Sequence, residues 1–342
     1  MNDSDDAATQ TPSAAQTAPT PPTVNPAPET TIGRTFVVPD TMTTPPRTDV
    51  EVPDYIRALG LPGLADIHVR FLPQNVLDKV WEYFDNAADN YGRDWPINYR
   101  YDTGTRLNIV RELGLRAIPA LTYPHKPGMA AWLNEWNAEF AAAHDDVIHC
   151  GTLYAEPESA DYVPAALAAG AKLFKVHVQV GVFSPDDEVL DPAWKALEEA
   201  RVPIVIHAGS APLPGTYTGP QAVANVLSKF PQLKFVIAHM GMPEYDEFAD
   251  LAERFDNVHL DTTMFASGYF STPAEVTPAY RERLAGLEDK VILGSDFPNI
   301  PYPYVDQIAG LAALGLGDDW MRSVLWTNGA KVLGLDRSQG PD

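Results

Sequence analysis

Between residues 64 and 296 the chain repeats one pattern eight times, a short apolar run followed by a longer stretch with helical spacing. The runs are LADIHVRF (64–71), RAIPALTY (116–123), VIHCGTLY (147–154), KLFKVHV (172–178), PIVIHA (203–208), KFVIAH (234–239), NVHLDTT (257–263) and KVILGSD (290–296). Between them, Val76, Leu77, Val80, Trp81 and Phe84 fall on one helical stripe after Pro73, and Tyr245, Phe248, Ala249 and Ala252 form another. Asp191 and Pro192 read as an N-cap and first helical position ahead of Trp194 and Leu197. Eight strands alternating with helices over about 250 residues predict an α/β fold, a (β/α)8 or TIM barrel. A doubly wound open sheet is the alternative, and it accounts less well for where the reactive side chains fall.

Those side chains gather at the C-terminal ends of the runs. His68 and Arg70 end the first; Tyr123 and His125 follow the second, and Tyr154 and Glu156 the third. The fourth carries Lys175 and His177, and the last four end in His207, His239, Asp261 and Asp296. In barrel enzymes that end is where active sites are built. A lone strand-end histidine is more often structural, but four at the same end, with an aspartate on the last strand, are a different matter. Side chains alternate faces along a strand. Asp66, His68 and Arg70 therefore share a face, as do Lys175, His177 and Gln179, and this polar set is expected to face the barrel lumen. Ile67, Val69, Phe71, Phe174, Val176 and Val178 would face the helices. Imidazole and carboxylate donors suit a zinc-like divalent ion. Three such ligands with one open position would activate a water or polarise a substrate oxygen, and a separate histidine could move protons.

Other features bound the function from outside. A hydrophobic fraction of 45% supports one large core. The single cysteine, Cys150, allows no internal disulfide and suits a reducing cytoplasm. The start MNDSDDAATQ has neither the basic nor the apolar region of a secretory signal, and no apolar run approaches the ~20 residues of a membrane helix. A cytoplasmic protein is expected. The formal net charge of −22 disfavours nucleic acid and anionic membrane as partners. Residues 1–48 are read as a disordered Pro/Thr/Ala-rich tail, since Thr9 to Thr31 cannot bury enough apolar surface to offset ordering. Residues 49–342 are read as one barrel domain. The glycines near Gly104 lack phosphate-loop spacing, no serine sits in a nucleophile elbow, and Trp132 and Trp136 read as helix packing. Asp261, with Thr262 and Thr263, either lines the pocket or satisfies strand-end backbone groups.

The segments LADIHVRFLP, PIVIHAG, FVIAHMG and VILGSDFP, with NGAKVLGL near the end, together resemble the amidohydrolase superfamily. The nearer likeness is to its amidohydrolase 2 group, which includes aminocarboxymuconate semialdehyde decarboxylase and a pyrone dicarboxylate lactonase, over about residues 60–335. The resemblance implies that His68, His207 and Asp296 hold a divalent metal ion, zinc first among candidates. It implies that Asp296 also orients or deprotonates the attacking water and that His239 transfers protons. His177 would line the pocket. Lys175 stands where binuclear relatives carry a carbamylated lysine, although the mononuclear group fits better. The implied reaction is hydrolysis of a small cyclic or carboxylated substrate, an organic acid or a lactone, with decarboxylation of an aromatic or muconate-like acid as the alternative; a homodimer is implied as well.

One position departs from the pattern. The group's His-x-His on the first strand is His-Val-Arg here, and arginine, always protonated, donates no lone pair to a metal. Arg70 would need a carboxylate beside it, and Asp66 is one candidate by parity. Three outcomes follow: a metal held by the remaining ligands, more weakly or with His177 recruited; a metal-free site in which Arg70 holds a carboxylate or oxyanion while Asp296 activates water for ester or lactone hydrolysis; or a barrel that binds a ligand or partner without catalysing.

Overall fold

In the computed structural model, which describes residues 42–335, the predicted runs become the staves of one barrel. Strand β1 (Ile118–Pro119) pairs in parallel with β2 (Val147–Ile148). Strands β3 (Cys150–Thr152), β4 (Leu173–His177), β5 (Pro203–His207), β6 (Lys234–Ile237), β7 (His259–Asp261) and β8 (Val291–Ile292) follow in chain order in a parallel sheet. Strands β2 and β3 are one stave interrupted at His149. Residues 64–70 are the closing stave. Leu64 and Arg70 bridge Leu115 and Leu121 on one side, and Val69 bridges Phe297 on the other. The Ile67 N–H also donates to Leu293 O at 2.9 Å.

Regular pairing is shorter than expected on the second and third staves, because side chains take over the ladder. Two asparagines on the helix Ala130–Ala142 do this. Asn137 donates to Ala120 O and accepts from Cys150 N–H at 2.7 Å. Asn134 accepts from Thr152 N–H at 2.7 Å and donates to Thr152 O at 3.1 Å.

Alternation holds along β4. Phe174 and Val176 pack outward into the main core, while Leu173 joins Ile148, Cys150, Val205, Val236 and Ile292 inside the barrel. Leu333, from the helix Asn328–Leu333, closes that inner cluster. On the closing stave the expected alternation is corrected: Ile67 joins the inner cluster while Val69 packs outward. The cause is local. Asp66 Oδ1 accepts the His68 N–H at 2.9 Å, an Asx-type turn that replaces the pleat. Asp66 also accepts from Tyr304 Oη–H at 2.8 Å and Ser295 N–H at 3.2 Å, so it is not the partner of Arg70.

The helical stripes pack as read. Val76, Leu77, Val80 and Trp81 are buried on the helix Gln74–Asp85, and Phe248, Ala249 and Ala252 on the helix Tyr245–Arg254. Asp191 is the first residue of its helix rather than its cap, because a 3-10 turn, Glu188–Leu190, runs directly into it. Of the segment read as a tail, residues 1–41 lie outside the described residues, as do residues 336–342 of the barrel domain. Residues 42–48 meet the barrel: Thr43 N–H and Oγ1–H donate to Asp318 at 3.0 and 2.7 Å, and Pro46 is buried. No helix among the described residues is long and apolar enough to cross a membrane.

Candidate active site

Above the apolar interior, the strand ends place a polar layer around Asp261 and His68, both fully buried. Asp261 Oδ2 accepts from His68 Nδ1–H at 2.9 Å, and Oδ1 accepts the backbone N–H of His239 at 2.9 Å and of Thr263 at 3.0 Å. One carboxylate thus orients two histidines on different staves. With Nδ1 protonated, His68 turns an Nε2 lone pair into the site. That lone pair receives Lys175 Nζ at 3.1 Å and Arg70 Nη2 at 3.4 Å. Arg70 Nε forms a buried ion pair with Asp296 Oδ1, and its guanidinium lies 4.8 Å from the Tyr123 ring centroid.

The histidines form an arc of rings. His177 stacks on His207 at 4.1 Å, His207 meets His239 at 4.6 Å, and His239 meets His68 at 5.4 Å. His207 Nε2–H donates to Ala211 O at 3.0 Å. Neither ring nitrogen of His239 has a hydrogen-bond partner among the described residues. Burial holds all four imidazoles neutral. It pushes His68, His177 and His239 well below the ordinary histidine range and His207 down to about 3, with neighbouring charged groups adding to it. Burial likewise brings Lys175 down to about 7, with Arg70 adding to the effect. It pushes Asp296 up, against the pull of Arg70 and Lys175.

Two of these residues carry left-handed backbone. His239 has φ 56° and Asp296 has φ 66°, conformations that cost a non-glycine residue about 1 kcal/mol or more. They are held there by hydrogen bonds: Asp296 N–H to His68 O at 2.8 Å, and Met242 N–H to His239 O at 2.9 Å. Strain maintained in this way turns both side chains into the mouth of the barrel.

A cavity of about 440 Å³ opens over this layer, and Arg70, His177, His207, His239 and Asp296 all line it. His68, with no exposed surface, lies beneath them. Of the six site residues expected from the sequence, five therefore share one cavity and the sixth supports it. The outer wall is aromatic. Trp95 packs against Phe84 at 5.0 Å, Phe270 at 5.5 Å and Tyr91 at 5.9 Å, and its indole N–H is anchored on Asn299 O at 2.8 Å. Sequence reasoning missed this wall, because its members come from separate segments that no spacing links. It also missed Tyr304 as the anchor of Asp66. The segments 86–106 and 209–219 line the cavity through Tyr91, Trp95, Ala211, Pro212 and Leu213.

The family model for amidohydrolases, of the amidohydrolase 2 group, matches residues 65–335, almost all of the described barrel. The chain belongs to this family. Solved structures share the fold at low identity. An uncharacterised TIM-barrel protein from Bordetella bronchiseptica is 19% identical, with a TM-score of 0.60, covering 78% of this chain and 98% of its own. A 5-carboxyvanillate decarboxylase from Novosphingobium aromaticivorans, complexed with manganese and 4-hydroxy-3-methoxy-5-nitrobenzoic acid, is 15% identical with a TM-score of 0.52, over 81% of this chain and 97% of its own. A protein assigned as a 2-pyrone-4,6-dicarboxylic acid hydrolase from Pseudomonas putida is 16% identical with a TM-score of 0.53, over 80% and 98%. A search of curated proteins finds no significant match.

The family is metal-dependent, so the donors present in this amidohydrolase bear on whether an ion fits. His68, His239 and Asp296 each offer one ligand atom, all within 4.8 Å of one another. His207 stands outside that group, with Nε2 committed to Ala211 O. The three donors alone have the chemistry of a divalent site, and Asp261 behind His68 is the usual orienting carboxylate. Arg70 changes the outcome. Its guanidinium contacts the two donor atoms an ion needs most, His68 Nε2 and Asp296 Oδ1. With Arg70 seated there, the set does not fit a divalent ion.

The neutral imidazoles make a testable demand on stability. For His207 the folded-state pKa of about 3 lies below the unfolded value near 6.5. At pH 7 both states are neutral there. As pH falls below 6.5 the unfolded chain takes up a proton that the folded chain cannot, and stability is lost down to about pH 3. At pH 5 the expected loss from this residue is about 2 kcal/mol. Urea unfolding at pH 7 and pH 5 should show a smaller acid loss, by about that amount, in His207→Gln than in wild type; equal losses would refute the assignment.

Proposed function

We propose that this amidohydrolase is a hydrolase of a small cyclic or carboxylated substrate, an organic acid or a lactone, held in the aromatic-walled cavity. His239 is the proton-transfer group, Asp296 orients and activates the attacking water, and Arg70 and His177 contact the substrate. The observation that carries this reading is His239. Its imidazole lines the cavity, is neutral, and has two unpartnered ring nitrogens beside Asp296. A buried imidazole with no structural hydrogen bond is free to relay to a leaving oxygen the proton that Asp296 draws from water. In that cycle water oxygen bonds to the acyl carbon, the acyl–oxygen bond breaks, and the proton removed from water ends on the leaving oxygen.

A second reading, decarboxylation of an aromatic acid, has its own support in the wall of Tyr83, Phe84, Tyr91, Trp95 and Phe270. Apolar surroundings strip water from a carboxylate and favour the form that has lost carbon dioxide. His239 would then relay a proton from water to the carbon left behind, the hydroxide formed leaving to solvent. Turnover of candidate acids and lactones in 18O-labelled water separates the two. Label in a ring-opened product, with no carbon dioxide, supports hydrolysis; carbon dioxide release with no label in the organic product supports the lyase and defeats the first reading.

A further inference from the structure

Arg70 sits where the family's metal chemistry would need a cation, and it is itself a cation. We propose that in this chain the Arg70 guanidinium takes the place of a bound divalent ion, so that the protein as it stands binds no stoichiometric metal and the guanidinium serves as the anion-binding group of the site.

Three observations carry this. The first is that the donor atoms are already in use. His68 Nε2 accepts from Lys175 Nζ at 3.1 Å and faces Arg70 Nη2 at 3.4 Å, while Asp296 Oδ1 is ion-paired to Arg70 Nε. An ion could bind these atoms only by displacing a guanidinium that cannot lose its charge. The second is that Arg70 has nowhere else to go. Asp66, the carboxylate on its own stave, is occupied by Tyr304, Ser295 and His68. Tyr123 packs on the guanidinium face at 4.8 Å and fixes its plane. The third is charge. Arg70 and Lys175 stand opposite Asp261 and Asp296, all four buried. A divalent ion would add two charges that no carboxylate of this cluster is left to compensate, at high cost in a buried site.

The guanidinium also lines the cavity, so a substrate carboxylate or a developing oxyanion meets it directly. A planar fork of N–H donors suits both groups. The inference does not depend on which reaction follows. A metal count is read without any substrate, and it leaves the choice between hydrolysis and decarboxylation to the labelling experiment.

The test is elemental analysis of protein purified without chelator, for wild type and for Arg70→His, after incubation with zinc or manganese chloride and desalting. The expected result is at least roughly tenfold less metal per chain in wild type than in Arg70→His, the variant that frees Asp296 and His68 and adds an imidazole ligand. Wild type retaining near one equivalent of either metal overturns the proposal. So does an Arg70→His protein that folds but holds no more metal than wild type. If Arg70→His does not fold, calorimetric titration of wild type with zinc or manganese chloride decides: absence of a near-stoichiometric site supports the substitution, and tight one-to-one binding refutes it.

Discussion

Replacing His239 with asparagine should lower kcat by between about a hundredfold and ten-thousandfold, the range a positioned acid–base group contributes, and leave the fold in place. The side chain makes no hydrogen bond that the structure would miss. Its backbone N–H, by contrast, is tied to Asp261, and that contact survives the substitution. Asparagine also tolerates the left-handed backbone that position 239 adopts. KM should change little, because substrate anions are held by Arg70 rather than by a neutral imidazole. The measurement is steady-state kinetics beside a thermal melt. A variant that keeps activity within tenfold of wild type, with an unchanged melt, would remove His239 from the chemistry.

The second large effect belongs to Asp261, and it is structural. Asp261→Ala strands the backbone N–H groups of His239 and Thr263 in the interior and leaves the His68 Nδ1–H only the Thr263 hydroxyl, 3.1 Å away. Two buried donors left without an acceptor, beside the buried cations Arg70 and Lys175 that lose a nearby carboxylate, should cost on the order of 3–5 kcal/mol. For a domain of this size that is a fall in Tm of roughly 10 °C. Asp261→Asn is the informative companion. Its amide oxygen can still accept the two backbone N–H groups, but its NH2 then faces His68 Nδ1 and forces the other tautomer. It should melt nearer to wild type while losing activity. An Asp261→Ala protein as stable as wild type would show that the carboxylate does not organise this layer.

The barrel was legible because the constraint that makes it, eight apolar runs of strand length separated by helical stripes, is written locally in each segment. The strand-end residues were legible for the same reason: periodicity places His68, Lys175, His207 and His239 at one end. What the sequence could not display were the contacts that depend on a break in regularity. Parity made Asp66 the natural partner of Arg70, but a turn closed by the Asp66 carboxylate turned that side chain toward Tyr304. The true partner, Asp296, lies on the last stave and reaches Arg70 from a left-handed backbone that no period forecasts. His207 belongs to the expected set, yet a carbonyl four residues on, at Ala211, takes its Nε2 proton. The aromatic wall around Trp95 exists only after folding.

The asparagines of the helix Ala130–Ala142 have a mechanical meaning. From β3 to β8 the inner cylinder is continuous backbone and the surrounding helices are a jacket packed on it. Between the second and third staves the jacket itself completes the cylinder, because Asn134 and Asn137 satisfy four backbone groups, those of Ala120, Cys150 and Thr152. That helix cannot lift away without uncapping the wall, so inner and outer rings are welded there into a single cooperative unit.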